Sequence, residues 1–255
     1  MEKKKILLVG ESWVTSANHT KGWDTFSSVT FHLGAEPLVD ALKESPFELT
    51  YMKAHEAALE FPLSLEGLTH YDAILLSDIG SNTLLLHPDV WLQGKTVPNR
   101  LKLLKEYSAR GGGLMMIGGY FSFQGIDGRA RWHKTAVEEV LPVTCIPYDD
   151  RFEAPEGIVA EITMPSHPIV SGLDTMARPA WGERGEGQGA SGCAGHCAPP
   201  GSSRWPSPAC GWKPWKWRTL AWTSDIGPHW LPNAFVGWPG YKRLWIQALG
   251  WLTRS

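Results

Sequence analysis

The stretch that most constrains this chain is 111–125, GGGLMMIGGYFSFQG. Its apolar run, 114–117, suits a buried strand and is too short for a helix. Three glycines precede the run and two follow it. A buried strand ending in a Gly-Gly turn is where α/β enzymes mount a nucleophile, because the strained turn lifts one side chain above the sheet edge. The residue lifted here is Tyr120. A phenol, with a pKa of about 10, is a weak nucleophile at neutral pH. The stretch therefore predicts a fold and a site location more firmly than it predicts a reaction.

Strand and helix signals alternate around it. Residues 5–9, KILLV, read as a first buried strand. A polar loop follows over 10–28, holding Glu11, Trp13, His19, Lys21 and Asp24. Residues 33–45 read as a helix, with Pro37 in the first turn and Leu38, Val39 and Leu42 on one face. Phe47–Met52 fits a second strand, and 54–68 is ambiguous. Residues 71–77 form a third strand that runs into Asp78-Ile79-Gly80-Ser81-Asn82. Asn99 caps a helix that turns Leu101, Leu104 and Tyr107 inward. Beyond the central turn, 135–140 reads as a short helix and Cys145 as a small core residue in a strand. Asp149-Asp150-Arg151 reads as an exposed charged turn, or as a contact for a cation or an amine. Tyr241–Leu252 carries a clean apolar helical stripe.

Such alternation predicts one α/β domain over 1–255, with a mostly parallel sheet covered by helices on both faces. In these sheets ligands bind beyond the carboxyl ends of the strands. The loops after Val9, Ser77 and Ile117 should then meet in one crevice. A later turn, Ser224-Asp225-Ile226-Gly227, repeats Ser77-Asp78-Ile79-Gly80. Either Asp can simply cap its turn while the Gly supplies a positive φ, or the two can face each other across the crevice.

Net charge is −2 with both signs scattered, so no basic surface argues for nucleic acid or anionic lipid. The apolar run at 6–10 is below the length of a signal peptide, and no stretch approaches a membrane span. The expected location is cytoplasmic.

One segment breaks the pattern. Residues 181–217 contain no Val, Ile, Leu, Met, Phe or Tyr, but eight Gly, five Pro, five Trp and three Cys. A stretch without aliphatics cannot bury enough area to offset its ordering entropy. Reading the back-translated codons one base later restores ordinary text. Trp215-Lys216-Trp217 then forces Gly, Asn or Ser, Gly, running into Arg218-Thr219-Leu220-Ala221-Trp222. The segment at about 176–217 is therefore expected to be out of frame and, as printed, irregular. Cys193, His196, Cys197 and Cys210 offer four zinc ligands, but their spacing is not that of a standard finger, and no metal is expected.

At Gly118-Gly119-Tyr120-Phe121-Ser122-Phe123-Gln124 the chain resembles class I glutamine amidotransferases, which carry Gly-x-Cys-x-Gly-x-Gln after the central strand. More closely, it resembles a bacterial group of glutamine amidotransferase-like proteins. The shared text includes GESW, SDIGSNTLLLHP, GGGLMMIGGYFSFQGIDG, EEVLPV, DDRFEAPEG, HPIVSGL and RTLAWTSDIGPHW. The resemblance implies a flavodoxin-like sheet and a cytoplasmic protein. It also implies a Cys–His–Glu triad, which this chain does not supply. Tyr120 stands at the Cys position, His229 is the best-placed late His, and Leu231 stands where the Glu belongs.

The first functional expectation is an amidotransferase-like protein without glutaminase activity that binds a small polar metabolite. Glu11, Asp78, Asn82, Tyr120, Gln124, Asp225 and His229 would line its site. The alternatives are another hydrolase, using Ser122 or a carboxylate with His229, and a non-catalytic homo-oligomeric or partner-binding subunit. No cofactor is expected. A flavin would need the Ser- and Thr-rich first loop to hold its phosphate, a composition common in loops, and no Walker or GxGxxG pattern follows the first strand.

Overall fold

The computed structural model describes residues 2–150, 153–154, 162, 164–173, 190–191, 210–212, 217–222, 226 and 233–253. Five parallel strands form the central sheet: β1 (Lys4–Gly10), β4 (Phe47–Met52), β5 (Ala73–Ser77), β6 (Gly113–Ile117) and β11 (Thr219–Trp222). Their order is β11-β6-β5-β1-β4. The α/β sheet expected from the sequence is thus present, with β6 at the glycine-bracketed run.

Alternation along β1 shows why helices cover both faces. Ile6 and Leu8 point into one apolar cluster, with α1 (Glu36–Leu42) and α8 (Tyr241–Leu252). Leu7 and Val9 point into the other, with α2 (Ala54–Glu60), α3 (Leu65–Thr69), α4 (Ser81–Leu85) and α6 (Arg100–Ala109). All four side chains are fully buried, as a parallel strand between two helical layers requires. The Asn99 side-chain oxygen accepts from the amides of Leu101 and Lys102, so it caps α6 as read from the sequence. Around the sheet lie a short helix α5 (Pro88–Trp91), the strand pair β8 (Glu153–Ala154) with β9 (Ala190–Ser191), and α7 (Asn233–Val236), with β7 (Val143–Cys145) pairing antiparallel to β10 (Cys210–Trp212).

Three local expectations are corrected. The polar loop over 10–28 is instead most of a β-ribbon: β2 (Ser12–Lys21) pairs antiparallel with β3 (Asp24–Leu33) through ten cross-strand positions. Its Thr, Val and Phe content favours strands, and Gly22 at φ +62° makes the tight turn. The ribbon reads as a loop from sequence because both its faces are largely exposed, so no apolar/polar alternation marks it. The helix over 33–45 shortens to Glu36–Leu42, because Leu33 belongs to the ribbon. Residues 135–140 form turns, not a helix. There the buried Glu138 carboxylate accepts from the amides of Lys134 and Cys145, an alternative to helical pairing for that backbone.

Candidate functional site

The sheet order reverses between β1 and β5. From β1 the chain goes outward to β4, then returns to β5 on the other side of β1 and continues to β6 and β11. Such a reversal opens a crevice at the carboxyl edge, where α/β proteins seat ligands. Glu11 and Asp78 are the residues that leave β1 and β5 at that point. Both have left-handed backbones, at φ 49° and 42°. Non-glycine residues hold that conformation only where their surroundings impose it.

The surroundings of Glu11 do so. Its amide donates to the Ser77 carbonyl (2.8 Å), and its own carbonyl accepts from the Gly34 amide (2.9 Å) and the Tyr51 hydroxyl (2.7 Å). The Ser77 hydroxyl donates to the Glu11 carboxylate. Gly34 packs so closely on that carboxylate that a Cβ there would lie 2.5 Å from Oε1. Glu11 is 1% exposed. Burial first, and then the Glu11 charge, push the Tyr51 phenol well above its ordinary pKa, so it stays a hydrogen-bond donor. Ser77 and Tyr51 were not singled out from sequence. They lie 66 and 40 residues from Glu11, and only the strand register brings them together.

Asp78 binds the turn after β6. Its carboxylate accepts from the Phe121 amide (2.7 Å), and a Cβ on Gly119 would lie 2.6 Å from the Asp78 side chain. Tyr120 is half-buried between these two residues, and so is held beside Asp78. The left-handed residue of the turn is Gly119, at φ 138°. Ser122 lies beneath the turn and is 2% exposed. Its hydroxyl donates to the Ile117 carbonyl and accepts from the Asp78 amide. Gln124 is buried as well, with its amide nitrogen on the Gly128 carbonyl and its oxygen accepting from the His133 amide. Both side chains are engaged in holding backbone. Asn82 is exposed on α4. Asp225 and His229 lie outside the described residues, as do Cys193, His196, Cys197 and most of the segment 176–217.

The acidic pair Asp149-Asp150 holds backbone, while Arg151, the third residue of that cluster, lies outside the described residues. The Asp150 carboxylate accepts from the amides of Gln124 and Gly125, both at 2.7 Å, and Asp149 accepts from the Asp127 amide at 2.9 Å. Together they clamp the loop that follows Tyr120. Burial is the main cause of a raised pKa at Asp150; the two amide hydrogen bonds oppose it, and the Asp149 charge adds to it. The native state therefore takes up this proton at a higher pH than the unfolded chain. This group's contribution to stability is greatest in acid and falls as pH rises through the folded-state value. An acid titration followed at the Gln124 and Gly125 amides by NMR is expected to give a midpoint above the ordinary aspartate value of 3.8.

The family model described as "Putative glutamine amidotransferase" aligns with residues 5–254. Among solved structures, the chain is similar to Cytoplasmic Protein STM3548 from Salmonella typhimurium, at 35% identity and a TM-score of 0.82, covering 98% of this chain and 99% of that one. It is also similar to Cytoplasmic Protein STM1381 from Salmonella typhimurium LT2, at 32% identity and a TM-score of 0.81, covering 98% and 100%. No curated protein matches it. Among the described residues, no helix is long and apolar enough to cross a membrane. With the family model spanning nearly its whole length and the expected parallel sheet in place, the chain belongs to the glutamine amidotransferase-like family GATase1_like.

Proposed function

We propose that the chain binds a small polar metabolite in the crevice beyond β1, β5 and β6, on an amidotransferase scaffold that does not release ammonia from glutamine. The observation that carries this reading is Glu11, a buried carboxylate on left-handed backbone at the point where the sheet order reverses. Holding such a residue costs on the order of 1–3 kcal/mol, and residues of this kind cluster at ligand sites. Asp78 and Tyr120 follow β5 and β6, the next two strands on one side of β1. Carboxylates at these positions suit a ligand rich in N–H or O–H donors. The loss of glutaminase chemistry rests on Tyr120 at the nucleophile position. The neighbouring Ser122 hydroxyl, buried and bonded on both sides, supports no other nucleophile. The cytoplasm is the proposed location, in keeping with the two Salmonella proteins described as cytoplasmic.

Two measurements test the reading. Purified protein incubated with glutamine is expected to release no ammonia above background. Robust turnover that disappears in Tyr120→Phe would overturn the pseudoenzyme part. A thermal-shift screen of polar metabolites is expected to find a ligand that raises the melting temperature, since binding to the native state alone stabilises it. That shift should vanish in Glu11→Gln, a variant that keeps the side chain's shape. A shift that survives Glu11→Gln unchanged would place the ligand elsewhere.

A further inference from the structure

A cleft of about 490 Å³ opens between α1 and the segment that leads from α7 into α8. Small-molecule sites commonly occupy about 300–1,000 Å³. The cleft lies on the sheet face that α1 and α8 cover, and Glu11, Asp78 and Tyr120 do not line it.

The wall from α7 and α8 is aromatic and fixed. Trp238 and Tyr241 line the cleft. Both rings pack on Phe235, which is buried: Trp238 stacks on it with ring centroids 6.3 Å apart, and Tyr241 meets it edge-on at 5.1 Å. The Tyr241 amide donates to the Trp238 carbonyl (2.9 Å), closing the turn that carries both rings. Gly240 lets the indole lie against that turn, since a Cβ there would fall 2.1 Å from a ring atom of Trp238. Leu33 and Val236 add aliphatic surface. A wall held in this way needs little ordering when a ligand arrives, which limits the entropic cost of binding.

The charges are divided between the two walls. Glu36 and Asp40 lie one turn apart on α1, and Lys242 lies on α8. Asp40 is engaged by Lys43 at 2.6 Å. Among the described residues, neither Glu36 nor Lys242 forms a side-chain ion pair or hydrogen bond, with each other or with a third group. Two opposite charges on facing walls, with aromatic surface beside them, match a molecule that carries both charges and an apolar body. A plain amine would leave Lys242 unanswered, and a plain carboxylate would leave Glu36 so.

We propose that this cleft binds a free α-amino acid with an apolar or aromatic side chain. The ammonium faces Glu36, the carboxylate faces Lys242, and the side chain lies on Trp238 and Tyr241. The site is separate from the crevice beyond β1, β5 and β6, and its occupant does not depend on the ligand proposed there.

Isothermal titration calorimetry on the full chain tests this with L-phenylalanine and L-leucine as probes. Ligands of this size make a Kd of about 0.1–1 mM the expected result. Phenethylamine lacks the carboxylate and 3-phenylpropionate lacks the ammonium, so each should bind at least about fivefold more weakly than L-phenylalanine. Lys242→Ala should weaken L-phenylalanine about fivefold and leave phenethylamine unchanged. Glu36→Gln should weaken L-phenylalanine about fivefold and leave 3-phenylpropionate unchanged. Both positions are exposed, so both variants should keep the wild-type far-UV spectrum. If Glu36→Gln unsettles α1, the Lys242→Ala measurements decide. Failure of both amino acids to bind up to about 10 mM overturns the proposal. So does L-phenylalanine binding that Lys242→Ala leaves unchanged, because the ligand is then held elsewhere.

Discussion

Replacing Arg100 with alanine is expected to lower the melting temperature by about 6–12 °C, corresponding to a loss of roughly 3 kcal/mol for a domain of this size. The reason is position. Arg100 opens α6, yet its side chain is only 1% exposed. The guanidinium donates to the carbonyls of Ala57 (3.3 Å), Ala58 (2.9 Å) and Leu59 (3.0 Å), at the end of α2. The Ala57 carbonyl also accepts from the Phe61 amide (3.3 Å), but the last turn of a helix is short of donors and carries the negative end of the helix dipole. A buried cation in their midst satisfies both needs, and it lies 6.0 Å above the Phe61 ring. Burial lowers the Arg100 pKa, but an arginine keeps its proton in proteins. Arg100→Met restores much of the volume but none of the donors, so it should lose nearly as much as alanine. Calorimetry that finds Arg100→Met as stable as wild type would show that packing, not carbonyl pairing, holds this end of α2. Arg100→Lys should fall between the two, because one ammonium cannot span the three acceptors as the planar fork does.

Gly10→Ala is expected to cost about 3 kcal/mol or more and to abolish any ligand-induced thermal shift. Gly10 has φ +104°, and a Cβ there would lie 2.0 Å from the Ser77 carbonyl oxygen and 2.9 Å from the Ile79 Cβ. Neither can withdraw easily. Ser77 is the last residue of the central strand β5, and its carbonyl already accepts the Glu11 amide. Relieving the clash must therefore open the β1–β5 edge or unseat Glu11. Gly94→Ala is the control: Gly94 has φ +64° with nothing within 4 Å. It should cost only about 1 kcal/mol, the price of a left-handed backbone alone. Equal losses in the two variants, measured by chemical denaturation, would remove the close-approach argument.

The parallel strands were legible because their signals are local. Each is a short apolar run bounded by glycine or a polar turn, and burial on both faces leaves no polar residue to blur it. The Asn99 cap and the α8 stripe were legible for the same reason. The ribbon was not, because a strand exposed on both faces loses its period-2 pattern and looks like a loop. The placement of the candidate residues was legible in outline: Glu11, Asp78 and Tyr120 follow three neighbouring strands, β1, β5 and β6. Ser122 and Gln124 stood out as elbow residues, but their side chains hold backbone: Ser122 that of Ile117 and Asp78, Gln124 that of Gly128 and His133.

By itself, then, the sequence determined the layered α/β architecture, the position of the turn after β6, and the absence of a thiol at Tyr120, since runs of apolar residues and the identity of a side chain are local properties. Only the tertiary structure decided which groups hold the site. Ser77 and Tyr51 reach Glu11 through strand register, Asp150 reaches the loop after Tyr120 from 25 residues away, and Arg100 reaches α2 from 41 to 43 residues away. A hydrogen bond is satisfied by whatever the fold brings within about 3 Å, and sequence separation does not encode that distance.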